Sequence, residues 1–248
     1  MSLLQINDLT VTFGDFTALD HINLTLAEGE LRFLIGPNGA GKTTLVDSIT
    51  GRTRPTSGTL TFNGQRLNGA PEHRIVRAGI GRTFQTSVVF GELTVADNID
   101  LAASHRLRPW QLLRRRPTLT EPLTHILNRV GLHEHTHTKA ATLSHGQRQW
   151  LEIAMLLAQE PRLLLLDEPV AGMNAEERTR TGDLLTEIAT DHTILVIEHD
   201  MDFLRRYARE VTVLHEGRVL THGDLHTVQN DPRVQEVYLG RTPQEATP

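Results

Sequence analysis

Apolar runs of strand length alternate with helix-patterned stretches along the chain. Leu3 to Phe13, Ile22 to Leu26 and Leu31 to Ile35 read as strands. The third leads directly into a glycine-rich loop and a helix predicted over Lys42 to Ile49. Thr59 to Phe62 is a further strand, closed by Asn63-Gly64, a pair that tolerates the positive φ of a two-residue hairpin turn. Leu163 to Leu166, Thr193 to Ile197 and Val211 to Leu214 are continuous apolar runs, as expected of strands covered on both faces of a parallel sheet. Helical patterns fill the gaps, notably Ala175 to Ala189, and the alternation predicts an α/β fold.

Between Gln85 and Glu160 the strand signals stop. Thr94 with Asp97 opens one predicted helix, and Ser144 with Gln147 forms a capping box for another. Glu121 to Val130 reads as a third, ended by Gly131. The stretch is expected to be an all-helical lobe set into the α/β core, with a frayed tail from Thr242.

Composition narrows the class. The 248 residues are 38% hydrophobic and 22% charged with a net charge of −5, a globular rather than a disordered balance. The longest apolar run, Ile153 to Ala158, is far short of the ~20 residues of a membrane span. The opening MSLLQINDLTVTF lacks the basic and apolar regions of a signal peptide, so a cytosolic setting is expected. With no cysteine, disulfides, thiol catalysis and cysteine-bound metals are excluded. Of 25 basic residues only Lys42 and Lys139 are lysine.

Lys42 stands in the segment with the clearest chemistry. Gly36 to Thr43, GPNGAGKT, fits the phosphate-binding pattern G-x-x-x-x-G-K-[ST] in the required place, after a strand and before a helix. Gly36, Asn38, Gly39, Ala40 and Gly41 would let the backbone wrap a phosphate, with N–H donors from the helix start at Lys42, Thr43 and Thr44. Lys42 would reach the β- and γ-phosphates and the Thr43 hydroxyl would ligate Mg²⁺. A compact ammonium enters such a cradle where a planar guanidinium fits poorly. Asp167 and Glu168 follow four leucines and are expected at a strand tip, where open α/β sheets bind ligands. There Asp167 would hold the Mg²⁺ shell and Glu168 would polarise an attacking water. Together the two motifs imply nucleoside triphosphate hydrolysis.

These motifs, with five more in order, make the sequence resemble the ATP-binding subunits of ATP-binding-cassette (ABC) transporters over nearly its whole length. Phe13 matches the aromatic residue that stacks on adenine. Gln85 in GRTFQ matches the Q-loop glutamine, which senses Mg²⁺ and couples to the membrane subunits. LSHGQ, Leu143 to Gln147, matches the signature motif, Ala171 to Asn174 the D-loop, and His199 in VIEHD the switch histidine at the γ-phosphate. Two positions depart from the common pattern: His145 replaces the first signature glycine, and Asn174 the D-loop aspartate.

The resemblance implies a P-loop fold with a mostly parallel core sheet, an N-terminal antiparallel β-subdomain and an inserted helical subdomain. It places the nucleotide core in residues 1–86 and 161–248 and the helical subdomain, with the signature, in 87–160. It implies a head-to-tail pair in which Ser144, Gly146 and Gln147 of one subunit meet the ATP held by the other. The runs LSHGQRQWLEIAMLLAQEPRLLLLDEPVAGM and VTVLHEGRVLTHGDLHTVQNDPRVQEVYLG are similar to the importers of branched-chain amino acids and amides, most of all to the first ATP-binding subunit of urea importers. Such importers imply a sister ATPase or a second copy, two transmembrane permeases and an external solute-binding protein, with this chain peripheral on the cytoplasmic face. Arg106 to Arg116, five arginines around Trp110, reads as a solvated face near the membrane; with pI ≈ 6.2 and no other basic stripe, nucleic acid is not an expected partner. His133, His135 and His137 are expected to be solvent-exposed rather than to chelate a metal. Coiled-coil or zinc-bearing insertions and a second cassette, the marks of non-transport relatives, are missing from these residues.

Overall fold

The structure is a computed structural model describing residues 2–83, 89–104 and 120–239. Ten strands form two sheets among the described residues. In the first, β1 (Ser2–Phe13), β2 (Phe16–Ala27), β4 (Ser57–Phe62) and β5 (Gln65–Arg66) are antiparallel in the order β2-β1-β4-β5. The second sheet orders β10 (Arg218–Asp224), β9 (Glu210–His215), β3 (Leu31–Ile35), β8 (Thr193–Ile197), β7 (Leu163–Asp167) and β6 (Ile80–Arg82) side by side. All neighbours in it are parallel except β9 and β10.

Burial follows directly from this layering. β3, β7 and β8 are buried at all five positions, and the pleat sends alternate side chains to opposite faces. Leu164, Leu166, Ile194 and Val196 enter the core shared with the helices. Leu163, Leu165, Leu195 and Ile197 enter the core shared with the antiparallel sheet. An unbroken leucine run is therefore what a two-sided strand requires.

The second strand is longer than the apolar run Ile22 to Leu26 indicates, because it also pairs through the polar stretch from Phe16. β6 and β10 carry no strand signal of their own. β6 has three residues, two of them Gly81 and Arg82, and forms because it adds to the exposed side of β7. β10 is the antiparallel edge.

Helix α1 (Lys42–Ile49) follows β3, and α2 (Glu72–Ala78) precedes β6. Among the described residues between β6 and β7 lie α3 (Val95–Ala103), α4 (Glu121–Val130), two 3₁₀ turns and α5 (His145–Leu157). Both capping boxes read from sequence, Thr94–Asp97 and Ser144–Gln147, are formed, and Gly131 ends α4 with left-handed φ of 71°. The remaining helices among the described residues are α6 (Ala175–Ile188), α7 (Met201–Tyr207), α8 (Leu225–Asn230) and α9 (Pro232–Leu239). No helix among the described residues is long and apolar enough to cross a membrane.

The parallel arrangement has one consequence for chemistry. β3, β7 and β8 all point the same way, so the loops after Ile35, Asp167 and Ile197 emerge at one edge of the sheet.

Candidate nucleotide site

A polar cavity of about 320 Å³ opens at that edge, bordered by Phe16, Ala18, the loop Asn38–Thr44, Asp167, Glu168 and Ile197. The loop after β3 wraps it. Gly36 has φ of 156°, and a Cβ there would fall 2.2 Å from the Leu214 carbonyl oxygen. Gly41 is the N-cap of α1 with φ of 100° and no side-chain cap. The first N–H groups of α1 are thus left for a ligand, and the positive end of the helix faces the cavity.

Lys42 folds back over this loop. Its ammonium donates to the carbonyls of Gly36 at 2.7 Å and Pro37 at 3.0 Å. Partial burial lowers its pKa, opposed by the carboxylates of Glu168 and Asp167. Those carboxylates face the loop from the end of β7, as the sequence predicts. Asp167 closes the strand with its side chain 3% exposed, and burial raises its pKa. Arg82, at the end of β6, opposes that rise: its guanidinium donates to Asp167 Oδ2 at 3.2 Å and pairs with Asp47 of α1.

Glu168 has φ of 50°, a left-handed conformation that is costly for a residue with a side chain and collects at functional sites. Its N–H donates to the Ile197 carbonyl at 2.9 Å, which fastens this turn to the end of β8. The turn directs its carboxylate outward, and His199 Nδ1 lies 3.3 Å from Glu168 Oε1. Two residues 31 apart in sequence thereby share one polar position beside the loop.

Asp167 and the Thr43 hydroxyl supply the hard oxygen donors that Mg²⁺ takes when most of its shell comes from phosphate and water. The buried carboxylate, set opposite the loop and placed by a rigid strand, fits that ion.

Other predicted residues are placed differently. Phe13 lies across the β1–β2 turn from Phe16, both well exposed, and Phe16 is the one bordering the cavity. The aromatic pattern pointed to Phe13; a two-residue turn at Gly14-Asp15 sets the two rings opposite each other and brings Phe16 to the loop. Ser144, Gly146 and Gln147 do not border the cavity. Ser144 Oγ accepts from the Gln147 N–H at 3.2 Å and Gln147 Oε1 accepts from the Ser144 N–H at 2.9 Å. His145 Nε2 lies 3.0 Å from the Ala171 carbonyl, joining the signature to the D-loop of the same chain, and Asn174 caps α6. His133 and His137 are exposed as expected, but His135 is half-buried, its Nε2 2.9 Å from Gln147 Nε2 at the start of α5. No cluster of three or more His, Cys, Asp or Glu side chains suited to a metal occurs among the described residues. Gln85 and Arg106 to Arg116 lie outside the described residues.

Against known proteins, residues 19–171 match the ABC transporter family model. The chain belongs to the ABC transporter family. As an ABC cassette it binds ATP and is an ATPase, which the loop, the carboxylates and the helix dipole above explain physically. Residues 218–243, from β10 onward, match the model for branched-chain amino acid ATP-binding cassette transporters. The cassette is 37% identical over 249 residues to the high-affinity branched-chain amino acid transport ATP-binding protein LivG of Salmonella typhimurium, covering 96% of this chain and 98% of that one. It is 36% identical over 250 residues to BraF of Pseudomonas aeruginosa, which has the same description, with the same coverage. Among solved structures, it is similar to a nucleotide-free cassette from an ABC transporter (28% identity, TM-score 0.84, 97% and 100% of the two chains). It is also similar to the ADP conformation of the cassette MJ1267 (29% identity, TM-score 0.84, 97% and 100%).

Proposed function

We propose that this cassette is the ATP-hydrolysing subunit of an importer that takes up branched-chain amino acids through partner permeases. The observation that carries the hydrolytic reading is the Glu168–His199 contact at 3.3 Å, set beside the cavity that Lys42, Thr43 and Asp167 border. In this reading the N–H groups from Gly39 to Thr44 and the Lys42 ammonium hold the β- and γ-phosphates. Thr43, Asp167 and Gln85 would hold Mg²⁺, which would supply charge neutralisation at the phosphates. Glu168 takes the proton of the attacking water, and His199 orients that water and the γ-phosphate. Phe16, with Phe13 beside it, offers the aromatic face for adenine.

Ser144, Gly146 and Gln147 are away from the chain's own cavity, which supports a head-to-tail pair with a sister ATPase or a second copy. The start of α5 then presents N–H donors and the Ser144 hydroxyl to the partner's nucleotide. The helical subdomain, residues 87–160, carries the signature, and 1–86 with 161–248 forms the nucleotide core. Two permeases and an external solute-binding protein complete the importer, with this cassette peripheral on the cytoplasmic face.

The cargo is read from the descriptions of LivG and BraF and from the C-terminal family match. Urea, suggested by the signature and C-terminal runs, is the competing cargo. Uptake of labelled leucine and urea, in cells lacking the gene and complemented with wild type or Glu168→Gln, separates them. Loss of leucine uptake restored by wild type alone is expected. Loss of urea uptake alone would reassign the cargo, and no loss of either would overturn the importer reading.

A further inference from the structure

His199 and Glu168 have side chains 67% and 38% exposed, so side-chain packing does little to set their 3.3 Å approach. Their backbones must do it, and one buried residue ties those backbones together. Glu198 follows β8 and is 1% exposed, with its carboxylate turned inward beneath the loop that carries His199. Its Oε2 accepts from the N–H of His199 at 3.0 Å and of Asp200 at 3.4 Å. Its Oε1 accepts from the N–H of Val170 at 3.3 Å, two residues beyond Glu168. One carboxylate therefore holds the turn that carries the base and the turn that carries the switch histidine.

The hold extends further. Asp200, the second residue fixed by Glu198, caps α7 by accepting from the N–H of Asp202 and Phe203, both at 3.0 Å, and accepts from Arg178 of α6 at 2.6 Å. We infer that Glu198 is the positioning residue for hydrolysis, a main-chain staple that keeps His199 in register with Glu168. Its side chain does not border the cavity. Burial pushes its carboxyl pKa upward, and the three N–H donors and His199 oppose that rise.

The amide of Gln has the same shape, but it turns a donor toward at least one of these N–H groups. The turns would then part by a fraction of an ångström, enough to misplace a catalytic pair held in close contact. The phosphate loop, which Glu198 does not contact through its side chain, is left intact.

This inference rests on the proposed roles of Glu168 and His199 in hydrolysis. Its test is a cycle of wild type, Glu198→Gln, His199→Ala and the double variant, in the full chain assembled with the subunits needed for turnover. Glu198→Gln is expected to keep the ATP Kd within about twofold and lower kcat by about 10- to 100-fold. The losses should be clearly less than additive in the double variant, because the staple acts in large part through that residue. Glu198→Asp, which keeps the charge on a shorter side chain, should recover part of the rate and replaces Gln in the cycle if that variant does not fold. Normal turnover of Glu198→Gln, parallel loss of ATP affinity and turnover, or additive losses in the double variant would overturn the staple. Normal turnover of His199→Ala would instead overturn the reading of the site itself.

Discussion

Arg82 joins three parts of the site with one guanidinium: the strand before the Q-loop, Asp47 on the phosphate-loop helix, and Asp167. With side chains 7% and 3% exposed, Arg82 and Asp167 form a buried ion pair, so removing one partner strands the other charge. Arg82→Met is expected to cost about 3–5 kcal/mol at neutral pH, measured by denaturant unfolding. The pH dependence has a definite sign. Burial already raises the Asp167 pKa and Arg82 holds it down, so loss of Arg82 raises it further. A carboxyl with a raised folded pKa opposes folding while ionised, so the deficit should shrink as pH falls from neutrality toward the ordinary carboxylate range. A deficit that is flat between pH 7 and pH 5 would contradict the pairing. Lys42 and Arg82 also differ in legibility. Lys42 stands inside a contiguous loop pattern and is readable at once. The partners of Arg82 lie 35 and 85 residues away, so only the folded sheet brings them together.

Elements were legible where their cause is local. A capping box needs residues three apart, and a strand covered on both faces needs an apolar run, so α3, α5, β7 and β8 could be read directly. β6 and β10 depend on a neighbour to pair with, and the β1–β2 register, which decides between Phe13 and Phe16, depends on the turn. The start of α5 has two separable duties. As an N-cap, Ser144 contributes about 1 kcal/mol, so Ser144→Ala should lower unfolding stability by that amount. As a proposed phosphate ligand of the partner, it should matter far more to turnover. Comparing unfolding with ATPase activity separates the two. A loss of activity no larger than the stability change would leave Ser144 a cap only.

At the scale of the whole molecule, two cores on either side of one sheet bring three loops to a common edge. The loop after β3 offers its N–H groups and Lys42, the end of β7 supplies Asp167 and Glu168, and the loop after β8 supplies His199. This convergence brings residues as far apart in sequence as Lys42 and His199, 157 positions, to one edge of the sheet. Ser144, Gly146 and Gln147 do not border this cavity, and in the proposed reading they serve the nucleotide of a second cassette. The most direct measurement is ATP binding, dimerisation and phosphate release by Glu168→Gln, with Lys42→Ala alongside. Glu168→Gln should bind ATP with wild-type affinity, remain dimeric in ATP and release no phosphate, while Lys42→Ala should lose ATP binding itself. A Glu168→Gln protein that releases phosphate at the wild-type rate would contradict the assignment of the base.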